Sequence, residues 1–425
     1  MRTVSLTNCT VGELKELLND IPDHVRINIM NSGNTGIVKD VTLSIKKGTI
    51  NSSVCINIDA EKLKWGEYMS VTKIVITGGP CAGKSTAMSR IQEELTQLGY
   101  TVFFITESAT EVITSGIDHT MPNFQLHLLQ YQLVKEKIYE DMASELTSKV
   151  VLILDRGALD SKIYTTKKEW SEILKELHTT ETKLRDSYDA VFHLVTAAKG
   201  AKAFYTTENN SARRETVDEA VIMDNKGIEA WTGHPHFRII DNSTNFEDKI
   251  KRLMKEITAF LGEPAPYEIE RKFLIKYPNI EWLESLPNVE KVEIIQTYLN
   301  NVKPDEEVRI RQRGRAGDYI FTKTTKRNIS ALKRVEVEKR LSKDEYLDLL
   351  MDADISKHQI RKTRYCMTYE NCYLEIDIYP MWNDQAILEV ELSSEDGMIS
   401  IPEQIEVIKE VTNDKTYRNY NIATL

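Results

Sequence analysis

The stretch Gly78-Gly-Pro-Cys-Ala-Gly-Lys-Ser-Thr86 constrains this chain more than any other. It satisfies G-x-x-x-x-G-K-[ST]. The apolar run Lys73-Ile-Val-Ile-Thr77 before it reads as a buried strand, and Ala87-Met-Ser-Arg-Ile-Gln-Glu-Glu-Leu95 after it has helical spacing. Strand, glycine-rich turn and helix in that order make a phosphate-binding loop. Gly78 and Gly83 let the backbone curl so that the N–H groups of Gly79, Cys81, Ala82 and their neighbours point inward around Pro80. The following helix adds the positive end of its dipole. Lys84 would reach the outer phosphates of a nucleotide, Ser85 would ligate Mg²⁺, and Thr86 completes the motif.

A chain of 425 residues is long for one domain and suggests two or three. With 41% hydrophobic and 28% charged residues it can bury several cores. A net charge of −10 argues against a broad nucleic-acid surface, though not against a local basic channel. The five cysteines are scattered, with no CxxC pair, which suits a reducing cytoplasm. No signal-peptide core and no bilayer-length apolar run is read, so no membrane partner is expected.

Residues 1–69 read as a small α+β module. Thr10-Val-Gly-Glu-Leu-Lys-Glu-Leu-Leu18 has the spacing of a capped amphipathic helix. Val25–Met30, Val41–Ile45 and Val54–Ile58 alternate like half-buried strands. A docking or self-association role is expected.

Residues 70–262 alternate strand and helix patterns, as in a parallel sheet with helices on both faces. Thr101-Val-Phe-Phe-Ile-Thr106 leads to Glu107, on the edge where such sheets bind ligands. Phe124–Met142 reads as a long amphipathic helix. Lys149-Val-Val-Leu-Ile-Leu-Asp155 is an apolar strand ending in a carboxylate placed to hold Mg²⁺, with Arg156 next. Further strands are read at Tyr188–Thr196 and Phe237–Asn242. Between them Arg213 and Arg214 fit either a mobile lid over a transferring phosphoryl group or a solvated pair at a helix start. Together these features resemble the nucleoside and nucleotide kinases and the related AAA-type ATPases grouped with ribosylnicotinamide kinases. The resemblance implies ATP or GTP as substrate, Glu107 as the base for an acceptor hydroxyl, and Arg156 as a ligand of the acceptor or its phosphate.

Pro264 and Pro266 mark a boundary. Beyond it, in residues 263–425, strands alternate charged and apolar residues: Glu268-Ile-Glu270-Arg-Lys272, Arg309-Ile-Arg311-Gln-Arg313, Arg334-Val-Glu336-Val-Glu338, Glu375-Ile-Asp377 and Glu389-Val-Glu391. An ordinary amphipathic sheet would place such charges in water. The regular mixture of acidic pairs and arginines instead suggests an antiparallel barrel with the charged face inward, where carboxylates hold divalent cations and cations bind phosphate. With Gln296, Thr322-Lys323, Lys362-Thr-Arg364 and Asn413-Asp-Lys415, the series resembles the CYTH, or triphosphate tunnel metalloenzyme, superfamily. That resemblance implies Mg²⁺ or Mn²⁺ at Glu268, Glu270, Glu389 and Glu391, with Glu336, Glu338 and Asp377 in supporting or second-metal roles. It implies phosphate binding by Lys272, Arg309, Arg311, Lys323, Arg334 and Arg364.

The expected protein is a bifunctional phosphate-handling enzyme, a P-loop kinase or NTPase fused to a tunnel phosphohydrolase. Adenylyl cyclisation in the tunnel, a regulatory nucleotide- or polyphosphate-binding role, and a kinase or triphosphatase acting on nucleic-acid ends stay open.

Overall fold

The computed structural model describes residues 2–7, 27–28, 40–45, 54–57, 71–201, 216–262, 269–300, 306–328, 334–392 and 398–424. The chain divides into two compact units, Met1–Ser70 with Ala143–Lys149, and Val71–Met142 with Val150–Leu425.

In the first unit, β1 (Arg2–Thr7), β2 (Ile27–Asn28), β3 (Asp40–Ile45) and β4 (Val54–Asn57) form a sheet of order β1-β3-β4-β2. The three expected strands correspond to β2, β3 and β4, while β1 has no counterpart in the sequence reading. The expected helix from Thr10 lies outside the described residues.

The second unit contains two sheets. The first is parallel, of order β6-β7-β5-β8-β9, built from β5 (Thr72–Gly78), β6 (Thr101–Ile105), β7 (Val150–Asp155), β8 (Ala190–Leu194) and β9 (Phe237–Ile240). Its helices include α1 (Lys84–Gln97), α2 (Ser108–Thr114), α3 (Phe124–Ser144), α4 (Lys167–Glu176), α5 (Glu181–Arg185), α6 (Val217–Trp231) and α7 (Phe246–Phe260). The strands are largely apolar because both faces are covered, though Lys73, His193 and Arg238 lie within them. Ile74, Ile76, Ile153 and Phe192 are fully buried against Ile91 and Leu95 of α1 and Leu253 and Ile257 of α7. Helix α6 starts at a capping box in which Thr216 and Glu219 bond reciprocally.

The second sheet is antiparallel and nine-stranded, of order β14-β13-β12-β11-β15-β16-β17-β10-β18. Its strands are β10 (Ile269–Lys276), β11 (Val289–Tyr298), β12 (Glu306–Arg315), β13 (Asp318–Asn328), β14 (Arg334–Leu341), β15 (Ile360–Tyr369), β16 (Cys372–Ile378), β17 (Gln385–Leu392) and β18 (Val407–Glu410). Helices α8 (Ile280–Ser285), α9 (Lys343–Leu349) and α10 (Asn419–Ile422) accompany it. Strands β14 and β18 lie at its edges, with no ladder joining them among the described residues. One face is apolar, where Phe273, Ile275, Leu374, Ile376 and Leu388 pack over Leu283 of α8. The other face carries the charges. At one rim of that face, Leu274, Tyr298, Ile360, Tyr379 and Ile387 cluster with Val411, Ile422 and Ala423.

The opposite rim meets the parallel-sheet half. The Tyr373 hydroxyl accepts from Gly233 N at 3.2 Å and donates to His234 O at 3.1 Å. Arg313 binds Asp186 at 2.9 Å, and Arg340 donates to Tyr188 O at 2.5 Å. Arg185 reaches Glu290 at 3.5 Å, and Arg238 pairs with Glu391.

Candidate functional site

The phosphate loop runs from the end of β5 into α1, as the motif requires. Gly78 has φ 145°, and a Cβ there would stand 2.1 Å from Leu194 O. Gly83 has φ 92° and lies so close to the Phe246 ring that a Cβ would be 2.5 Å from it. Both positions therefore call for glycine. Cys81 also takes a left-handed conformation, φ 55°. Pro80 O accepts from the Thr196 hydroxyl at 2.5 Å. Ser85 and Thr86 occupy the exposed first turn of α1. Lys84 Nζ lies back along the loop, 3.3 Å from Gly78 O. Burial, reinforced by Arg156, lowers its pKa.

Two buried groups that sequence reasoning missed brace this loop. Asp224 of α6 is fully buried, and its Oδ1 accepts from Gly79 N at 3.1 Å, Thr196 N at 3.0 Å and His193 Nε2 at 3.0 Å. Burial opposes its charge, but His193 and Lys199 outweigh that and hold the carboxyl well below the usual range. Lys249 of α7 donates to Ala82 O at 3.2 Å, Val195 O at 2.7 Å and Asn242 at 2.7 Å. Burial brings its pKa down to about 8.

Beside the loop, Asp155 closes β7 one strand from the phosphate loop. Its Oδ1 is buried without a hydrogen-bond partner among the described residues, and burial raises its pKa. An orphaned carboxylate oxygen here fits a divalent cation shared with Ser85 and nucleotide phosphates. Arg156, at φ 70°, turns its side chain to Glu107 at 2.5 Å and Asp160 at 3.3 Å. Asp160 is buried and also accepts from Thr77, Gly157 N and Trp231. Burial works against ionised Glu107, yet Arg156 and Lys84 prevail and hold it at about 2. In this arrangement Glu107 is a weak proton acceptor and an effective anchor for Arg156. Arg213 and Arg214 lie outside the described residues.

On the second sheet, directly opposed residues share a face, so the ladders show which charges converge. Glu270 faces Glu391, Lys272 faces Glu389, Glu375 faces Glu389, Arg364 faces Asp377, and Gln296 faces Arg311. Arg309, Lys362, Arg364, Glu375, Asp377 and Glu389 are all under 10% exposed, so this face is not a solvated outer surface. Lys272 reaches Glu389 at 2.5 Å and Glu270 at 3.2 Å. Arg364 holds Asp377 and Glu389, each at 2.6 Å, and also Glu375. Arg311 approaches Glu338 at 3.8 Å, and Thr324 donates to Glu338 at 3.0 Å. Burial opposes charge on Glu389, but Lys272, Arg364 and Lys362 keep it well below the usual range. Glu391, near Glu375 and Glu270, is pushed up to about 7, mainly by burial.

The face does not take in every expected residue. Lys323 pairs with Ile310, which is fully buried in the apolar cluster with Tyr346, so Lys323 falls on the opposite face from Arg309 and Arg311. Lys326, two ladder positions on from Thr324, is the β13 lysine in register with the charged residues. Arg334 and Glu336 stand opposite Asn328 and Lys326 in the ladder. Glu268 lies outside the described residues. Among those described, no three His, Cys, Asp or Glu side chains are grouped to hold a metal ion. The directly opposed Glu270 and Glu391 fit a cation held partly by substrate phosphates.

The chain joins a phosphate-loop motif at the end of a parallel sheet to an antiparallel sheet with a buried face of carboxylates and guanidiniums. Residues 73–249 match the AAA domain family and residues 266–415 the CYTH domain family. The chain thus carries an AAA-type P-loop domain followed by a CYTH domain. Solved structures similar to parts of it include the inorganic triphosphatase NE1496, at 26% identity and TM-score 0.26, covering 37% of this chain and 95% of that one. Deoxyadenosine kinase from M. mycoides with bound dATP is similar at 18% identity and TM-score 0.33, over 44% and 99%. PH1819 from Pyrococcus horikoshii OT3 is similar at 23% identity and TM-score 0.24, over 31% and 81%. No curated protein matches the chain.

Proposed function

We propose that the chain is a bifunctional phosphate-handling enzyme, with a triphosphate hydrolysed on the charged face of the CYTH domain and ATP or GTP turned over at the P-loop. The observation that carries this reading is the burial of Glu389, Arg364 and Asp377 in one network. Burying so many charges is costly unless something else is gained. A linear triphosphate supplies the matching partner: guanidiniums clamp its oxygens while carboxylates face its cations. Arg309, Arg311 and Arg364 would hold the chain, and Lys272 would bear on the phosphoryl group near Glu389. Glu270 and Glu391 would hold Mg²⁺ or Mn²⁺, which would supply charge stabilisation at phosphorus.

At the P-loop, the loop amides and Lys84 would hold the nucleotide phosphates, and Ser85 with Asp155 the accompanying Mg²⁺. Arg156, braced by Glu107 and Asp160, would contact the acceptor. A cleft lined by Thr77, Gly79, Arg156, Asp160 and Tyr164 opens there. With Glu107 held at about 2, it would serve to position Arg156 more than to take a proton.

The test is release of phosphate and pyrophosphate from tripolyphosphate and a panel of nucleoside triphosphates, with Mg²⁺ or Mn²⁺. Cleavage that survives Lys84→Ala but not Glu268→Ala/Glu270→Ala supports hydrolysis in the CYTH domain. Cleavage that follows Lys84 alone removes that assignment. Pyrophosphate with a cyclic nucleotide as products would replace hydrolysis by cyclisation.

A further inference from the structure

The cations on the charged face come from two domains. Within the CYTH domain, Lys272 and Arg364 hold Glu389, Lys362 and Arg364 hold Asp377, and Arg364 holds Glu375. Glu391, at the rim, is held by Arg238 of β9 in the P-loop domain. Neither side chain of that pair is exposed beyond 16%. Around it the P-loop domain covers the rim: Asp186 binds Arg313, and Gly233 and His234 bind the Tyr373 hydroxyl. Arg313 and Tyr373 belong to the charged face, since Arg313 alternates with Arg309 and Arg311, and Tyr373 with Glu375 and Asp377.

We propose that Arg238 is a substrate-binding residue of the CYTH site, supplied by the P-loop domain, and that this domain closes one end of the site around the terminal phosphate of a linear polyphosphate. The inference rests on the reading of the charged face as a triphosphate site. Arg238 binds Glu391, which shares the charged face with Glu389, the partner of Arg364 and Lys272, while its Nε lies 3.7 Å from Glu256 of α7. A guanidinium fork fits phosphate oxygens as well as it fits a carboxylate. A phosphate arriving at this rim exchanges for Glu391 on Arg238 and leaves Glu391 to the cation that accompanies the substrate. The backbone of residues 233–234 and the Arg313–Asp186 pair cover the same rim, and on this proposal they close it to a chain threading onward. A chain end that reaches the charged face stops against Arg238. Such a site takes the end of a polyphosphate and excludes its interior.

The experiment uses the full chain as wild type, Arg238→Ala, Arg238→Lys and, as the control for the site itself, Glu270→Gln. Tripolyphosphate hydrolysis gives KM and kcat, and calorimetry with tripolyphosphate in the absence of metal gives Kd. Arg238→Ala is expected to raise both KM and metal-free Kd about tenfold, about 1.4 kcal/mol, with a smaller change in kcat. Arg238→Lys, which keeps the charge and loses the fork, falls between and remains usable where the alanine variant folds poorly. Long-chain polyphosphate is expected to be shortened from its ends by the wild type, and cleavage within the chain would overturn the closed end. Unchanged KM and Kd in both Arg238 variants, with hydrolysis still abolished by Glu270→Gln, overturns the role of Arg238 alone. Hydrolysis indifferent to Glu270→Gln defeats the underlying reading of the site, and the metal-free Kd then still decides whether Arg238 binds phosphate.

Discussion

The two sheets of this protein handle charge in opposite ways. The parallel sheet carries little charge along its strands, and its candidate site residues sit where strands end, at Gly78, Glu107 and Asp155. The antiparallel sheet runs charge along its strands and pairs it across the ladder, from Glu270 to Arg364. In the first, the fold would survive loss of the site. In the second, the candidate site is itself a buried layer. A lysine or carboxylate lost from a strand end exposes a loop to water, whereas one lost from the buried face strands its partners at low dielectric.

Stability separates the two most sharply. Glu389→Ala leaves Lys272 and Arg364 short of a buried partner and is expected to cost about 3–5 kcal/mol as well as all CYTH-domain turnover. Lys84→Ala is expected to abolish P-loop turnover while moving stability by less than about 1 kcal/mol, because burial already disfavours its charge. Urea unfolding of the two variants side by side checks this, and equal losses would erase the contrast. Asp224→Ala tests whether the P-loop side has a structural charge of its own. It orphans Gly79 N and Thr196 N, with an expected cost of about 2–3 kcal/mol and weakened nucleotide binding by fluorescence titration. Full nucleotide affinity in that variant would mean the loop holds its shape unaided.

Acid should act at the seam between the domains. Burial depresses His234 to about 3 and His236 well below its usual 6.5. As pH falls below 6.5 the unfolded chain takes up these protons before the folded one does. Stability is therefore full above that value and declines on the way down, with a slope approaching about 1.4 kcal/mol per pH unit for each histidine. Melting temperatures from pH 7 to pH 5 report it, and His234→Gln should flatten the curve. A slope identical in wild type and variant removes His234 from the account. The smallest effects concern β13. Lys326→Ala is expected to raise KM for tripolyphosphate about fivefold, about 1 kcal/mol, and Lys323→Ala to leave it within twofold. The reverse order would mean that the β12–β13 register is misassigned.

These contrasts also explain what the sequence disclosed. The phosphate loop is contiguous, so its spacing alone located Lys84 and Ser85, and the apolar run before Asp155 located the neighbouring strand end. The alternation of Arg309, Arg311 and Arg313 pointed to a charged face, and the ladder puts Gln296, Arg364 and Asp377 on that face. Lys323 was misplaced because a Thr-Lys pair says nothing of parity: a shift of one residue moves a side chain to the other face, and only the ladder with Ile310 settles which. Asp224, Lys249 and Arg238 escaped because their partners lie far along the chain, at Gly79, Ala82 and Glu391. Asp160 was visible as a residue, but not as the point where Thr77, Arg156 and Trp231 meet.

Helix α6 carries Asp224 against the phosphate loop, ends at Trp231 on Asp160, and passes directly into Gly233 and His234 on the CYTH rim. The P-loop and CYTH halves are therefore separable in sequence more than in mechanics. Proteolysis near Pro264 would sever the peptide without freeing either half. An isolated C-terminal fragment would present Arg313, Tyr373 and Glu391 to water at a surface shaped for contact. Recombining it with a different P-loop protein would require a replacement for residues 233–238 before it required any new chemistry.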